Sequence, residues 1–280
     1  MYPLSRNLRS SARLSLQHLF WNLRLGFLLH PAIPLGSSPV LCIADIGTGT
    51  AIWPLELSQH VSPKSKVIGY DISSSQFPAK EQLPSNVQLE ILNVMGGFLP
   101  RSAVSAFDIV HVRALVLAVK RGDLDLLISR LGMMLKPGGY LQWDEVDLEA
   151  YRARSSIPTV SKTASEQFVQ YFLEYMRSLN LSLDWVSQLP DHLARHGFEL
   201  VDGARLHEAD AVTCKLETDD HLMVLEDQLP DIATFMASEQ GRASADVKQE
   251  LERLFRNVVR ETERGVSLHM DWYCHVARKL

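Results

Sequence analysis

Val40-Leu41-Cys42-Ile43-Ala44-Asp45-Ile46-Gly47-Thr48-Gly49-Thr50-Ala51-Ile52-Trp53 is the stretch whose reading decides the fold. Val40 to Ala44 is an unbroken apolar run, read as a buried strand that ends at Asp45. The two glycines after it let the backbone turn sharply and come close to a ligand. Trp53, Leu55 and Leu57 then belong to a helix closing near His60. A strand, a glycine turn and a helix in that order build the nucleotide crevice of an open α/β sheet.

Two features exclude the commoner ligands of such a crevice. Ile52 stands where a Gly-x-Gly-x-x-Gly dinucleotide loop requires its last glycine, and no Gly-Lys-Ser/Thr follows, so a P-loop is excluded. Asp45 lies two positions before the first glycine, where a carboxylate would repel a pyrophosphate. It suits S-adenosylmethionine (SAM), which has no phosphate and carries an ammonium and a sulfonium. The run Val67-Ile68-Gly69-Tyr70 is a second strand ending at Asp71, whose carboxylate can accept hydrogen bonds from both ribose hydroxyls. Because Asp71 ends a strand, its replacement is expected to leave the fold stable. Asn93 ends a third run, Val87 to Val94, and its amide can read an adenine edge. Ile72, Val94 and His111 complete the expected cofactor-lining set. The alternative is a glycine turn that binds nothing.

Outward from this centre the chain keeps alternating. Phe107 to Val112 is a fourth strand. Leu124, Leu127, Ile128, Leu131 and Leu135 follow at helical spacing, and Lys136-Pro137-Gly138-Gly139 stops that helix before a fifth strand, Tyr140 to Trp143. Tyr151 to Trp185 breaks the alternation. Phe168, Phe172, Tyr175, Met176 and Leu179 mark an inserted helical cap, whose aromatic stripe either packs or faces a ligand. Val186 to His196 is a helix, Phe198 to Val201 a sixth strand and Trp272 to Ala277 a seventh. Between the last two, Val247, Leu251, Leu254 and Val258 give one helix an apolar face. Alternating strands and helices predict a mainly parallel sheet covered on both faces.

Composition narrows the function. The 280 residues suit one domain, divided here into an N-terminal helical lid (1–35), a cofactor-binding half (36–150), the cap (151–185) and the rest of the sheet with a helical insertion (186–280). A formal charge of -5 without a basic run argues against nucleic acid as a partner. Cys42, Cys214 and Cys274 form no CxxC pair, so neither a disulfide framework nor a metal site is expected, and a reducing cytoplasmic compartment fits. No apolar run is long enough to span a bilayer, so no membrane role is expected. Before Asp45 the chain has arginines and serines but no acidic residue, which reads either as a transit peptide or as an amphipathic helix folded onto the domain. The expected partner is a small-molecule substrate, and the protein a monomer or homodimer.

Asp45 to Trp53 resembles the first motif of class I SAM-dependent methyltransferases, and more narrowly of the fungal secondary-metabolism subset. Gly69 to Ser73, Gln76-Phe77-Pro78, Phe107 to Arg113 and Leu135 to Trp143 support the likeness, as do Ser11 to Pro34 and His269-Met270-Asp271. The resemblance implies a Rossmann-like sheet of seven strands in the order 3-2-1-4-5-7-6, with strand 7 antiparallel. It implies SAM above strands 1 and 2, with Asp45, Gly47 and Gly49 at its methionine end, Asp71 on the ribose and Asn93 near adenine. It also favours a folded N-terminal helix that covers the site. The chain departs from the family pattern at Ala51, where many relatives carry a third glycine, and at Asn93, where a carboxylate is common.

Methyl transfer from a sulfonium is an in-line displacement that depends on alignment and on exclusion of water. A base is needed only for a protonated nucleophile. His111 is the best-placed base, with a structural histidine as the alternative. Asp144 and Glu145 follow strand 5. Glu145 is carried as the second catalytic candidate, against a structural role for either carboxylate. Arg113 either meets a substrate carboxylate or forms a salt bridge within the fold, and His18 and His30 are further candidates to face the substrate. No Asn-Pro-Pro-Tyr-type tetrapeptide follows strand 4, which argues against amino-methylation of nucleic acid or of protein glutamine. A cyclase that uses bound SAM only as a cation, and a methyltransferase-like regulator, keep the same loop and stay open.

Overall fold

Apolar β-branched runs form the parallel part of a single sheet, seen in a computed structural model that describes residues 3–35, 40–206 and 210–280. β1 (Cys42–Ile46) lies between β2 (Lys66–Asp71) and β4 (Phe107–Arg113). β3 (Val87–Ile91) pairs with β2, and β5 (Leu135–Ser155) with β4. β7 (Val266–Lys279) enters antiparallel between β5 and β6 (Phe198–Arg205). The order is β3-β2-β1-β4-β5-β7-β6, as the resemblance implied. β1 has neighbours reached in opposite directions along the sheet. The crevice at its carboxyl end is therefore the switch point where open α/β sheets bind ligands.

Helices cover both faces. On one, α2 (Ile52–Leu57) packs Trp53 and Leu57 with Ile43, Val67 and Ile109. On the other, α3 (Leu124–Met134) packs Leu127, Ile128 and Leu131 with Val110 and Leu141. Each large apolar side chain buried this way contributes about 1.5–3 kcal/mol before the entropic cost of ordering it. α4 (Thr163–Ser178), α5 (Leu189–Arg195), α6 (Ala211–Gln240) and α7 (Ser244–Glu263) follow, with α6 packed on both α7 and the N-terminal helix α1 (Leu8–Leu25).

α1 (Leu8–Leu25) is capped at both ends. The Asn7 side chain accepts from the Ser10 amide, and Gly26 takes the left-handed conformation that ends the helix. Its Phe20 and Trp21 sit on Trp272 of β7, with ring centroids 5.3 and 4.1 Å away. The expected boundary after residue 35 adjoins residues 36–39, which lie outside the described residues. Among the described residues no helix is long and apolar enough to cross a membrane.

Several expected boundaries need correction. β3 ends at Ile91, so Asn93 follows the strand rather than ending it. β5 does not stop near Trp143 but runs to Ser155, so residues 151–155 of the expected cap are strand. Val146 and Leu148 continue the two-residue alternation, with Asp147 and Glu149 between them, and the acidic residues disguise it. β7 is longer to match. The two form a ribbon whose register shifts between Asp147 and Arg152 and which carries Leu148 and Tyr151 beyond the rest of the sheet.

Candidate active site

The glycine loop after β1 is held by β2. The Tyr70 carbonyl accepts from both Gly47 N–H and Thr48 N–H, at 2.8 and 2.9 Å. Asp71 Oδ2 accepts from Gly49 N–H at 3.0 Å, and its Oδ1 from Ser73 N–H at 3.1 Å. Asp71 therefore shapes the loop as well as facing it, which corrects the expectation that replacing it would leave stability unchanged. Gly47 and Gly49 have φ of 74° and 54°. A Cβ at Gly47 would lie 3.1 Å from Leu115 Cδ1, and one at Gly49 would lie 3.2 Å from Leu14 Cδ1 of α1. Both conformation and space thus call for glycine. Ala51 adopts φ 61° at the start of α2, a left-handed turn that a glycine would make without strain.

The loop opens onto a cavity of about 500 Å³. Of the expected cofactor residues, Asp45, Gly47, Gly49, Asp71, Ile72, Asn93 and Val94 all line it. Thr48 and Thr50 line it too, and their buried hydroxyl oxygens have no partner among the described residues. Asn93 Oδ1 accepts from Met95 N–H at 3.1 Å, so a base edge would meet the amide nitrogen. A carboxylate near the glycines, a second at the end of β2 and spare hydroxyls between them fit a cation with a ribose. This donor set fits SAM.

His111 does not line the cavity, which corrects its expected places as base and as cofactor contact. It is 0% exposed. Its Nδ1 lies 2.7 Å from Asp45 Oδ1, its Nε2 lies 3.1 Å from Asp144 Oδ2, and its ring stacks on Trp53 at 3.8 Å. Burial alone would lower its pKa, but the bonds to Asp144 and Asp45 hold it above the ordinary value. Burial pushes against the Asp144 carboxylate, and the His111 bond brings its pKa below the ordinary value. His111 bridges two carboxylates, which hold its pKa above the ordinary value, and it braces Asp45 at the cavity wall.

Glu145 is likewise enclosed and not available as a base. Its Oε2 accepts from Leu115 N–H at 2.8 Å and Trp143 Nε1–H at 3.1 Å, and its Oε1 from Val146 N–H. Burial raises its pKa to about 7, against these bonds. It caps the turn after β4. Arg113 lines the cavity and donates to His18 Nδ1 at 2.8 Å, while His18 Nε2 bonds Glu56. His18 thus ties α1 to the cofactor half. His30 lies beyond α1, its N–H bonded to Gln142 and its ring edge-on to Phe27.

The N-terminal helix was expected to cover the site, whereas the α6 part of the wall was missed in the sequence. α1 contributes Arg13 and Phe20, and α6 contributes Asp220, His221 and Val224. Arg13 Nη1 lies 3.2 and 3.4 Å from the two Asp220 oxygens. Arg24 bonds the fully enclosed Glu217 at 3.1 Å and lies over the Trp272 ring. Glu217, Asp220, His221 and Val224 have the spacing of one helix face. That polar stripe was the available signal, although alone it reads as a solvated face.

A family model described as a methyltransferase domain matches residues 43–139. Among curated proteins, methyltransferase grgD of Penicillium sp is 32% identical over 192 residues, covering 66% of this chain and 64% of that protein. N-methyltransferase tcpN of Claviceps purpurea is 30% identical over 148 residues, 52% of each chain. The chain thus spans less than two thirds of the length of these relatives. A solved S-adenosylmethionine dependent methyltransferase from Mesorhizobium loti shares 15% identity, covers 94% of this chain and 100% of its own, and superposes with a TM-score of 0.53, a likeness of fold alone.

Proposed function

We propose that this chain is a class I SAM-dependent methyltransferase and that it moves the methyl group of SAM to an oxygen or nitrogen atom of a small molecule, a secondary metabolite. The observation that carries this reading is one cavity that joins the glycine loop, Asp45 and Asp71 to an apolar end walled by α1, α4 and α6. When bound, SAM supplies a methyl carbon made electrophilic by its sulfonium. Asp71 offers acceptors to the ribose hydroxyls, and Asn93 offers its amide nitrogen to the adenine. Asp45, braced by His111, sets a carboxylate beside the cationic end. α1 lies over Gly49 through Leu14.

Nitrogen is the first choice of acceptor atom. An uncharged amine attacks without prior loss of a proton, which suits a site whose His111 and Glu145 are enclosed. The printed name of the Claviceps relative points the same way. The three free cysteines favour a reducing compartment such as the cytoplasm. Titration calorimetry tests the cofactor: SAM and S-adenosylhomocysteine should bind, NAD and ATP far more weakly. Folded protein that ignores SAM ends the reading. With an acceptor in hand, a product heavier by one methyl group, formed with S-adenosylhomocysteine, separates transfer from SAM-assisted cyclisation.

A further inference from the structure

Past the glycine loop the cavity wall changes character. Phe20, Leu148, Tyr151, Phe172 and Trp272 make it apolar there. Arg13 and Asp220 on this wall form an ion pair and satisfy each other, and Arg6 and Arg113 also line the cavity. Lys120 and Asp123, further out, again balance in sign.

His221 is different. It is 5% exposed and lines the cavity, and its ring stands edge-on to Tyr151 at 5.1 Å. Its buried Nδ1 has no hydrogen-bond partner among the described residues. Buried polar atoms are nearly always paired, so an orphan in a cavity wall points to a ligand atom. Burial, with His269 and Arg13 nearby, lowers its pKa to about 3, so the ring is neutral near pH 7. The Leu268 backbone holds the ring from one side. A neutral imidazole keeps one nitrogen as a pure acceptor.

We propose that His221 anchors the methyl acceptor, its Nδ1 taking a hydrogen bond from an O–H or N–H of an uncharged, mainly apolar small molecule seated against Tyr151, Phe172 and Trp272. The word acceptor rests on the methyltransferase reading; the binding itself does not. The ligand that fits is a neutral ring compound with one donor, rather than a carboxylate, a phosphate or a quaternary amine.

Indole, 1-methylindole and indole-3-carboxylate serve as probes, titrated into the full chain with and without saturating S-adenosylhomocysteine. Native protein should bind indole about 2- to 10-fold more tightly than 1-methylindole, the worth of one neutral hydrogen bond. His221→Phe should erase that preference, His221→Gln should keep part of it, and neither should change affinity for S-adenosylhomocysteine. In native protein labelled with 15N-histidine, the His221 Nδ1 resonance should move upfield with indole and stay with 1-methylindole. That measurement stands even if His221→Phe does not fold. The proposal is overturned if indole fails to bind saturably, if native protein shows no preference, if the preference survives in His221→Phe, or if the carboxylate binds best. Loss of S-adenosylhomocysteine binding in native protein would instead count against the methyltransferase reading, since the indole comparison is also made without it.

Discussion

Replacing His111 with leucine removes the ring that stands between Asp45 and Asp144. The two contacts, 2.7 and 3.1 Å long, both depend on that one ring, which is wholly enclosed. Breaking a buried pair costs about 3–5 kcal/mol, mostly because a charge is left buried and uncompensated. Arg113, whose guanidinium also feels both carboxylates, remains. The penalty is therefore counted once rather than twice. For a chain of this size each kcal/mol shifts the melting temperature by about 2–4 °C, so a drop of about 6–20 °C is expected. The pH dependence gives a sharper test. The folded pKa of His111 is raised from its ordinary 6.5, so its stabilisation is full below that value and fades as pH rises through the folded pKa. Below 6.5 the native histidine is protonated whether folded or not. In His111→Leu, however, the enclosed Asp144 carboxylate, left without its partner, takes up a proton in the folded state before it does so unfolded. The deficit of the variant should therefore shrink as pH falls from about 6.5 to about 4.5. Melting curves of both proteins across that range decide it. A melting temperature within about 2 °C of the native one, or a deficit that grows on acidification, refutes the account of His111 bridging two carboxylates.

Asp71→Ala should lose the ribose acceptors, weakening SAM by roughly 30- to 1000-fold in calorimetry. It should also lower unliganded stability by about 1–3 kcal/mol, because the Gly49 and Ser73 amides lose their acceptor; unchanged SAM affinity would move the ribose elsewhere. Glu217 has its pKa raised from 4.5 to about 7, chiefly by burial and against the pull of Arg24. A carboxyl raised on folding stabilises most below its unfolded value, and that contribution is lost as pH rises through the folded one. The melting temperature of native protein relative to Glu217→Gln should therefore fall between about pH 5 and about pH 8, and a rise would show that the Arg24 pair outweighs burial.

The cofactor end was legible in the sequence because its information is local. Asp45, the two glycines and Asp71 are each fixed by position at the end of an apolar run, and the chain need only form a parallel sheet to bring them together. His111 and Glu145 were misjudged because a polar residue at a strand end looks the same whether it opens into a crevice or is enclosed by its neighbours. Trp53 stacked on His111, and the turn at Leu115 closing on Glu145, decide between these, and neither partner announces itself. β5 was read short because Asp144, Glu145 and Asp147 resemble a loop, although each is buried. The part of the wall made by α6 was least legible, since it meets α1 only through contacts between distant parts of the chain.

That distance has a consequence for how the protein is made. Arg13 and Asp220 stand 207 positions apart, and the other bonds of α1 to α6 are similarly remote. At the usual pace of synthesis, about 5–20 residues per second, a ribosome needs about 10–40 s to reach the partner of a helix already released. Phe20 and Trp21 wait longer still for Trp272, so α1 emerges well before the elements it docks on. Until then the nascent chain carries that aromatic pair without the ring it packs on, open to chaperones or to premature association.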